Sequence, residues 1–245
     1  MDELIVMRSR VTANGRTRIP GWLQGRAWEH WMNAWKDDLI PGQQLKTAEL
    51  QLSSWLSGEQ VRPFDTCALL LNEIDATPAT VLEIGCSSGY YSEVIRRDHP
   101  ESRYVGVDYS QSFCDLGYSR FPESNFVCGD SLQLPFRDSS FPLVMSGSVL
   151  LHVRDWKTAL RETLRVTSRH AILHRTPVAS AKTETFTKRA YGKRLIEWLF
   201  NEDDLLQECS RLGFSLAQQI DLNAQSSLSD SGFAPNNRSY LLQRR

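Results

Sequence analysis

No apolar run in this chain is long enough to span a bilayer, and its start, Met1-Asp2-Glu3-Leu4, lacks the apolar core of an export signal. An excess of one charge is lacking too. Lys and Arg number 28 against 29 Asp and Glu, a net charge of -1, so no global field draws the chain toward nucleic acid or anionic membrane. The locally basic start, with Arg8, Arg10, Arg16 and Arg18, reads as a solvated arm. The five cysteines, Cys67, Cys86, Cys114, Cys128 and Cys209, are odd in number and have no metal-ligand spacing. Most lie inside apolar runs, where a reduced thiol packs as a small hydrophobe. Asn237-Arg238-Ser239 matches a glycosylation sequon, which means nothing without export. Internal repeats and low-complexity stretches are missing. What remains is a chain of 245 residues, enough for one domain with embellishments. A reducing cytoplasm is the expected setting.

What is present is an alternation of strands and helices that implies a parallel sheet covered on both faces. Strands are predicted at 80–84, 103–107, 125–128, 141–146 and 170–173, and two more close the chain at 214–222 and 239–243. Helices are predicted between them, with Ser88, Asp155 and Asn201 as N-caps and Gly213 as a C-terminal stop. Before the first strand, Trp28, Trp31 and Trp35 recur at helical spacing, which predicts one helix running to Ile40 and stopped by Pro41-Gly42. Further helices are expected at 48–56 and 65–74. The stretch from Thr176 to Phe200, with Lys182, Lys188, Tyr191, Lys193 and Trp198, reads as an interrupting loop.

The most informative residues are Val81 to Ser92. An apolar run carrying Glu83 stops at Gly85, small residues lead to Gly89, and a helical pattern follows. That is a buried strand turning tightly into a helix, with small side chains wherever a ligand would approach the backbone. Asp108 ends the next apolar run about 20 residues beyond the second glycine, where an acid is placed to grip a ribose diol. The pair points to a nucleoside-containing cofactor. A dinucleotide is disfavoured. Its fingerprint needs glycine at the first, third and sixth positions, where this chain has Gly85, Ser87 and Tyr90.

Glu83-x-Gly85-x-x-x-Gly89 instead resembles the first motif of class I S-adenosylmethionine-dependent methyltransferases. Cys128-Gly129-Asp130-Ser131 and Leu134-Pro135-Phe136-x-Asp138-x-Ser140-Phe141 add to the likeness. The resemblance implies a Rossmann-like, doubly wound, mostly parallel α/β sheet of seven strands, the last antiparallel. It implies a core over 79–245 with a cover insertion at 176–200, and a helical extension or cover over 1–78. It also implies S-adenosyl-L-methionine as cofactor, held residue by residue. Gly85, Cys86, Ser87 and Gly89 would line its methionine and sugar through backbone groups, with Glu83 beneath the turn. Asp108 would accept from the ribose hydroxyls and Tyr109 would cover the adenine. Asp130 and Ser131 would meet the adenine edge, and Ser146 the methionine end.

His152 follows the fourth strand, where related small-molecule enzymes place a residue beside the transferred methyl. A histidine there suits proton removal from a hydroxyl or amine. Its other role would be to shape the pocket. His174 and Arg175 are expected on the substrate side, and Trp28, Tyr191 and Trp198 as walls of an acceptor pocket. Lys188 and Lys193 could meet an anionic group. Ser146-Gly147-Ser148-Val149 matches neither the double-proline motif of DNA amino-methyltransferases nor a Pro-Cys nucleophile. A small-molecule acceptor, a sugar or other metabolite hydroxyl or amine, is therefore expected rather than nucleic acid. Two rivals remain open: a non-catalytic cofactor-binding partner protein, and a nicotinamide-dinucleotide oxidoreductase. The second is disfavoured by Tyr90 and by the lack of a Tyr-x-x-x-Lys pair.

Overall fold

The computed structural model describes residues 17–179, 182–222 and 236–245. Arg8, Arg10, Arg16 and most of the Ser- and Asn-rich loop before Asn236 lie outside them. Among the described residues no helix is long and apolar enough to cross a membrane.

The centre is parallel. Strand β2 (Thr80–Ile84) lies between β3 (Arg103–Asp108) and β5 (Phe141–Gly147), with β4 (Asn125–Cys128) beyond β3 and β6 (Thr167–Ala179) beyond β5. Strand β10 (Asn236–Arg244) pairs antiparallel with both β6 and β9 (Phe214–Asp221), so the last strand is reversed as expected. Alternation along the strands sends Val81, Leu143, Ile172 and Leu241 to one face and Leu82, Val144, Leu173 and Leu242 to the other. On the first face pack α3 (Arg62–Asn72) and α4 (Tyr91–Asp98); on the second pack α6 (Trp156–Val166) and α7 (Glu202–Arg211). Helix α5 (Gln111–Arg120) lies beside β3 and β4.

The caps at Asp155 and Asn201 form: each side chain accepts the N–H three residues on, from Thr158 and Asp204. Ser88 does not cap α4. The helix begins after Tyr90, and the buried Ser88 hydroxyl has no partner among the described residues.

Three further departures follow. The sheet has ten strands among the described residues, not seven. The segment expected as a loop is a hairpin of β7 (Glu184–Ala190) and β8 (Lys193–Asn201), joined by Tyr191-Gly192 with φ of 52° and 70°. Positive φ at both central residues is the hairpin turn whose twist matches its strands. The hairpin meets the main sheet through Val178 opposite Phe200 and Ala179 opposite Asn201, and β1 (Thr17–Arg18) extends its far edge. Finally, the tryptophan segment is not one helix. Helix α1 (Gln24–Trp31) ends early, a 3-10 turn (Ala34–Lys36) follows, and α2 (Ile40–Leu56) then begins. Pro41 stands in the first turn of α2, where its missing N–H costs nothing. It starts a helix rather than stopping one.

Candidate active site

Strands β2, β3, β5 and β6 run the same way, and the turns at their C-terminal ends surround one cavity of about 850 Å³. Strand order reverses at β2, so the crevice opens where ligands of open α/β sheets bind. Its roof comes from the N-terminal segment: Met32, Trp35, Lys36, Gln44, Thr47 and Gln51 all line it.

The glycine turn forms one wall. Gly85 has φ of 67°, and a Cβ there would stand 2.1 Å from the Val149 side chain. The next turn residues are tied to β3: the N–H groups of Gly85 and Cys86 both reach the Val107 carbonyl, at 2.7 and 3.1 Å. Asp108 is buried and accepts from the Ser87 and Ser110 N–H groups, each at 3.0 Å on a different carboxylate oxygen. Burial raises its pKa above the usual aspartate value, and these backbone donors oppose the rise. Burial pushes the Glu83 carboxyl up to about 8, although the Tyr104 hydroxyl donates to it; the nearby Asp108 charge adds to the rise. Gln44 reaches down from α2 to the Ser87 hydroxyl.

Gly85→Ala is expected to destabilise the fold by about 2–4 kcal/mol, because it combines a positive φ with overpacking against Val149. Thermal unfolding measures this. A melting temperature equal to that of the parent would show that the turn relaxes freely.

The rest of the lining includes His152, Lys188 and Tyr191. His152 Nδ1 lies 3.0 Å from the Ile196 carbonyl of the hairpin. A carbonyl only accepts, so Nδ1 carries the proton and, in the neutral ring, Nε2 carries the lone pair. The Trp35 ring lies 5.0 Å from His152 and 5.7 Å from Tyr191, centroid to centroid. Lys188 reaches Glu197 at 2.5 Å, while Lys193 pairs with Asp37 and does not line the cavity. Five non-glycine residues have positive φ among those described, and four of them, Ser87, Ser148, Arg175 and Tyr191, line the cavity. Strained backbone concentrates at sites where the surrounding structure enforces it.

Of the residues singled out from sequence, Glu83, Gly85, Ser87, Asp108, Tyr109, Asp130, Ser131, His152 and Tyr191 meet at this cavity. Six do not line it. Cys86 turns its thiol under the turn against Gly106, and a Cβ at Gly89 would meet the Phe126 ring at 2.5 Å, so both serve packing. Ser146 is buried behind the wall. His174 is wholly buried between the Tyr91 hydroxyl and Ser239 Oγ, both at 2.8 Å, and burial holds it well below the usual histidine value. Trp28 and Trp198 pack on each other at 5.4 Å, and the Trp198 indole donates to the Val153 carbonyl. These two form the small core under the hairpin instead of a pocket wall. Gln44 and Val149 are lining residues the sequence reading missed. Neither carries a local signal, since each depends on where a distant element crosses the turn.

Residues 82–174 match the protein family described as "Methyltransferase domain". Over that span the chain carries a methyltransferase domain, and the match supports the likeness to class I S-adenosylmethionine-dependent methyltransferases. Demethylmenaquinone methyltransferase of Thermotoga maritima is 26% identical over 126 residues, covering 51% of this chain and 55% of that protein. Malonyl-[acyl-carrier protein] O-methyltransferase of Halorhodospira halophila is 33% identical over 101 residues, 40% of this chain and 34% of that one. The chain thus spans about half the length, or less, of these curated relatives. In fold, it is similar to the 1,6-didemethyltoxoflavin-N1-methyltransferase of Burkholderia thailandensis, with TM-score 0.60 at 12% identity over 96% of this chain and 98% of that one. The [4+2]-cyclase SpnF is also similar, with TM-score 0.56 at 17% identity over 74% and 80% of the two chains. The methyltransferase domain's fold therefore does not by itself fix a reaction.

The cavity of the methyltransferase domain fits S-adenosylmethionine. Asp108 keeps lone pairs beyond the two backbone N–H groups it accepts, which is what a ribose diol requires. Glu83 offers a buried carboxyl to a cationic ligand, and Tyr109, whose ring has Lys36 Nζ 5.2 Å from its centroid, lines the same cavity.

Proposed function

We propose that this protein transfers a methyl group from S-adenosylmethionine to a hydroxyl or amine of a small-molecule acceptor. The observation that carries the reading is one continuous cavity lined both by the Gly85–Asp108 turn and by His152, Trp35 and Tyr191. Asp108 takes the ribose hydroxyls, Tyr109 and Asp130 flank the adenine, and Glu83 faces the amino-acid end. The cofactor, when bound, supplies an electrophilic methyl group. The chain's own part is to hold the acceptor atom in line, exclude water and accept a proton at His152 Nε2. The described parts of 1–78 and 176–200 act as the cover. Trp35, Lys36 and Gln44 above the turn and Tyr191 at the hairpin tip support that role.

Titration calorimetry with S-adenosylhomocysteine, in two buffers of different ionisation enthalpy, tests the cofactor site. Glu83 is protonated over much of the range below about 8, and a cationic ligand beside it favours the carboxylate. Binding should therefore release a proton. Affinity should rise with pH, level off above about 8, and lose this dependence in Glu83→Gln. Heat with a reduced nicotinamide dinucleotide and none with S-adenosylhomocysteine would sink the reading. Release of S-adenosylhomocysteine in the presence of candidate acceptors then tests turnover.

A further inference from the structure

Arg175 stands out among the cavity's charged groups. It follows His174, which sits opposite Gly147 at the end of the β5–β6 pairing. Its backbone is held at φ 57°. Three hydrogen bonds, made by Ser239 and Ser148, enforce that conformation. The Ser239 hydroxyl accepts the Arg175 N–H at 3.1 Å, the Ser148 hydroxyl donates to its carbonyl at 3.4 Å, and the Ser148 N–H takes the His174 carbonyl at 2.9 Å. The Ser239 hydroxyl is in turn fixed by the buried His174–Tyr91 pair. Four residues from four separate segments thus aim one side chain.

That side chain is a half-buried guanidinium lining the cavity, charged at any biological pH. Its polar neighbours are the phenols of Tyr90, Tyr91 and Tyr191. Among the described residues no carboxylate lies within ion-pair distance of it. The contrast with Lys188 is direct, since that cation of the same cavity is matched by the buried Glu197. Holding a cation away from bulk water without a counter-charge is costly, and the cost is recovered when an anion arrives with the ligand.

The ligand could bring its anion in the cofactor or in the acceptor. The position favours the acceptor. Arg175 lies on β6, two strands from β2. The phenols beside it are those of Tyr90 and Tyr91, which follow the glycine turn, and of Tyr191 at the hairpin tip. It is through Tyr191, which packs on Trp35 and so on His152, that Arg175 joins the side away from the turn. Tyr191 and His152 both pack on Trp35, at interplanar angles of 59° and 64°, so aromatic side chains line the cavity on the hairpin side of Arg175.

We propose that Arg175 is an acceptor-binding residue, and that the acceptor is a planar ring compound bearing a carboxylate, seated against Trp35 and Tyr191, rather than a neutral sugar. This deepens the methyl-transfer reading and rests on it for the word acceptor. The binding preference itself stands apart from that reading.

The test is calorimetry on the full chain, alone and saturated with S-adenosylhomocysteine, using 4-hydroxybenzoate and its neutral isostere 4-hydroxybenzamide as probes. The acid should bind at least about tenfold more tightly than the amide, the scale of one charge-assisted bidentate contact. In Arg175→Gln that preference should fall to about one, with S-adenosylhomocysteine affinity unchanged. Arg175→Lys, which keeps the charge but not the planar fork, should fall between. An acid that binds no better than the amide, or not at all, overturns the proposal. So does a loss of S-adenosylhomocysteine affinity in a folded Arg175→Gln, because Arg175 would then hold the cofactor. If Arg175→Gln does not fold, the wild-type comparison and Arg175→Lys decide. A wild type that ignores S-adenosylhomocysteine but prefers the acid separates failure of the methyltransferase reading from failure of this one.

Discussion

Replacing His152 with alanine is expected to lower turnover by about a hundredfold or more while affinity for S-adenosylhomocysteine stays within about twofold. The reason lies in the tautomer. The Ile196 carbonyl fixes the proton on Nδ1, which leaves Nε2 as the basic atom of the neutral ring in a cavity-lining residue. The ring is also braced by Trp35 at 5.0 Å, so its orientation is set before any acceptor binds. Alanine removes two things at once, the base and a tie to the hairpin. His152→Asn separates them, because its side-chain amide can still donate to the Ile196 carbonyl but cannot take a proton. If His152 is the base, both variants lose turnover and both lose the acid limb of the rate–pH profile. If Asn restores turnover, His152 is a positioning residue and the acceptor gives up its proton elsewhere.

The second large effect is expected at Asp108. Asp108→Ala should weaken S-adenosylhomocysteine binding by about 2 kcal/mol, about thirtyfold in Kd, because the ribose hydroxyls lose a charged acceptor. The structure adds a further cost. Each Asp108 oxygen also satisfies a backbone N–H, of Ser87 in the glycine turn and Ser110 before α5. The variant should therefore melt lower as well as bind less. Asp108→Asn discriminates between the two costs. Its amide nitrogen would point a donor at one of those N–H groups, so it should lose stability while keeping one acceptor for the ribose. Unchanged affinity in a folded Asp108→Ala would remove the basis for placing a ribose here.

The parallel centre of the sheet was legible in the sequence because its signals are local. Val81 to Ile84 is a largely apolar run that stops at Gly85, and β2 covers it, beginning one residue earlier at Thr80. Asp155 and Asn201 announce helix starts through bonds that span three residues. Gly85 and Asp108 meet because adjacent parallel strands of similar length bring their ends together, a consequence of topology that spacing alone carries. The hairpin was not legible in this way. Its alternation is blurred where Thr185, Thr187 and Glu197 are buried and where Tyr191, a residue unsuited to positive φ, occupies the turn. Only the pairing of β7 with β8 over seven positions outweighs those local preferences.

By itself, then, the sequence determined the side of the cavity made by Gly85, Ser87 and Asp108, where each residue's place follows from one strand and the turn after it. Tertiary structure alone decided the side made by the N-terminal segment and the hairpin. Trp28 and Trp35 share a helical spacing in the sequence, yet the break after Trp31 sends Trp28 into the core under the hairpin and Trp35 over the cavity. His174 and Arg175 are adjacent, yet one is sealed behind the wall and the other turned into the cavity by a left-handed backbone that Ser148 and Ser239 hold from other strands. Contacts between segments far apart in the chain leave no periodic trace in either one, because each side chain's direction is fixed by partners its own neighbours do not specify.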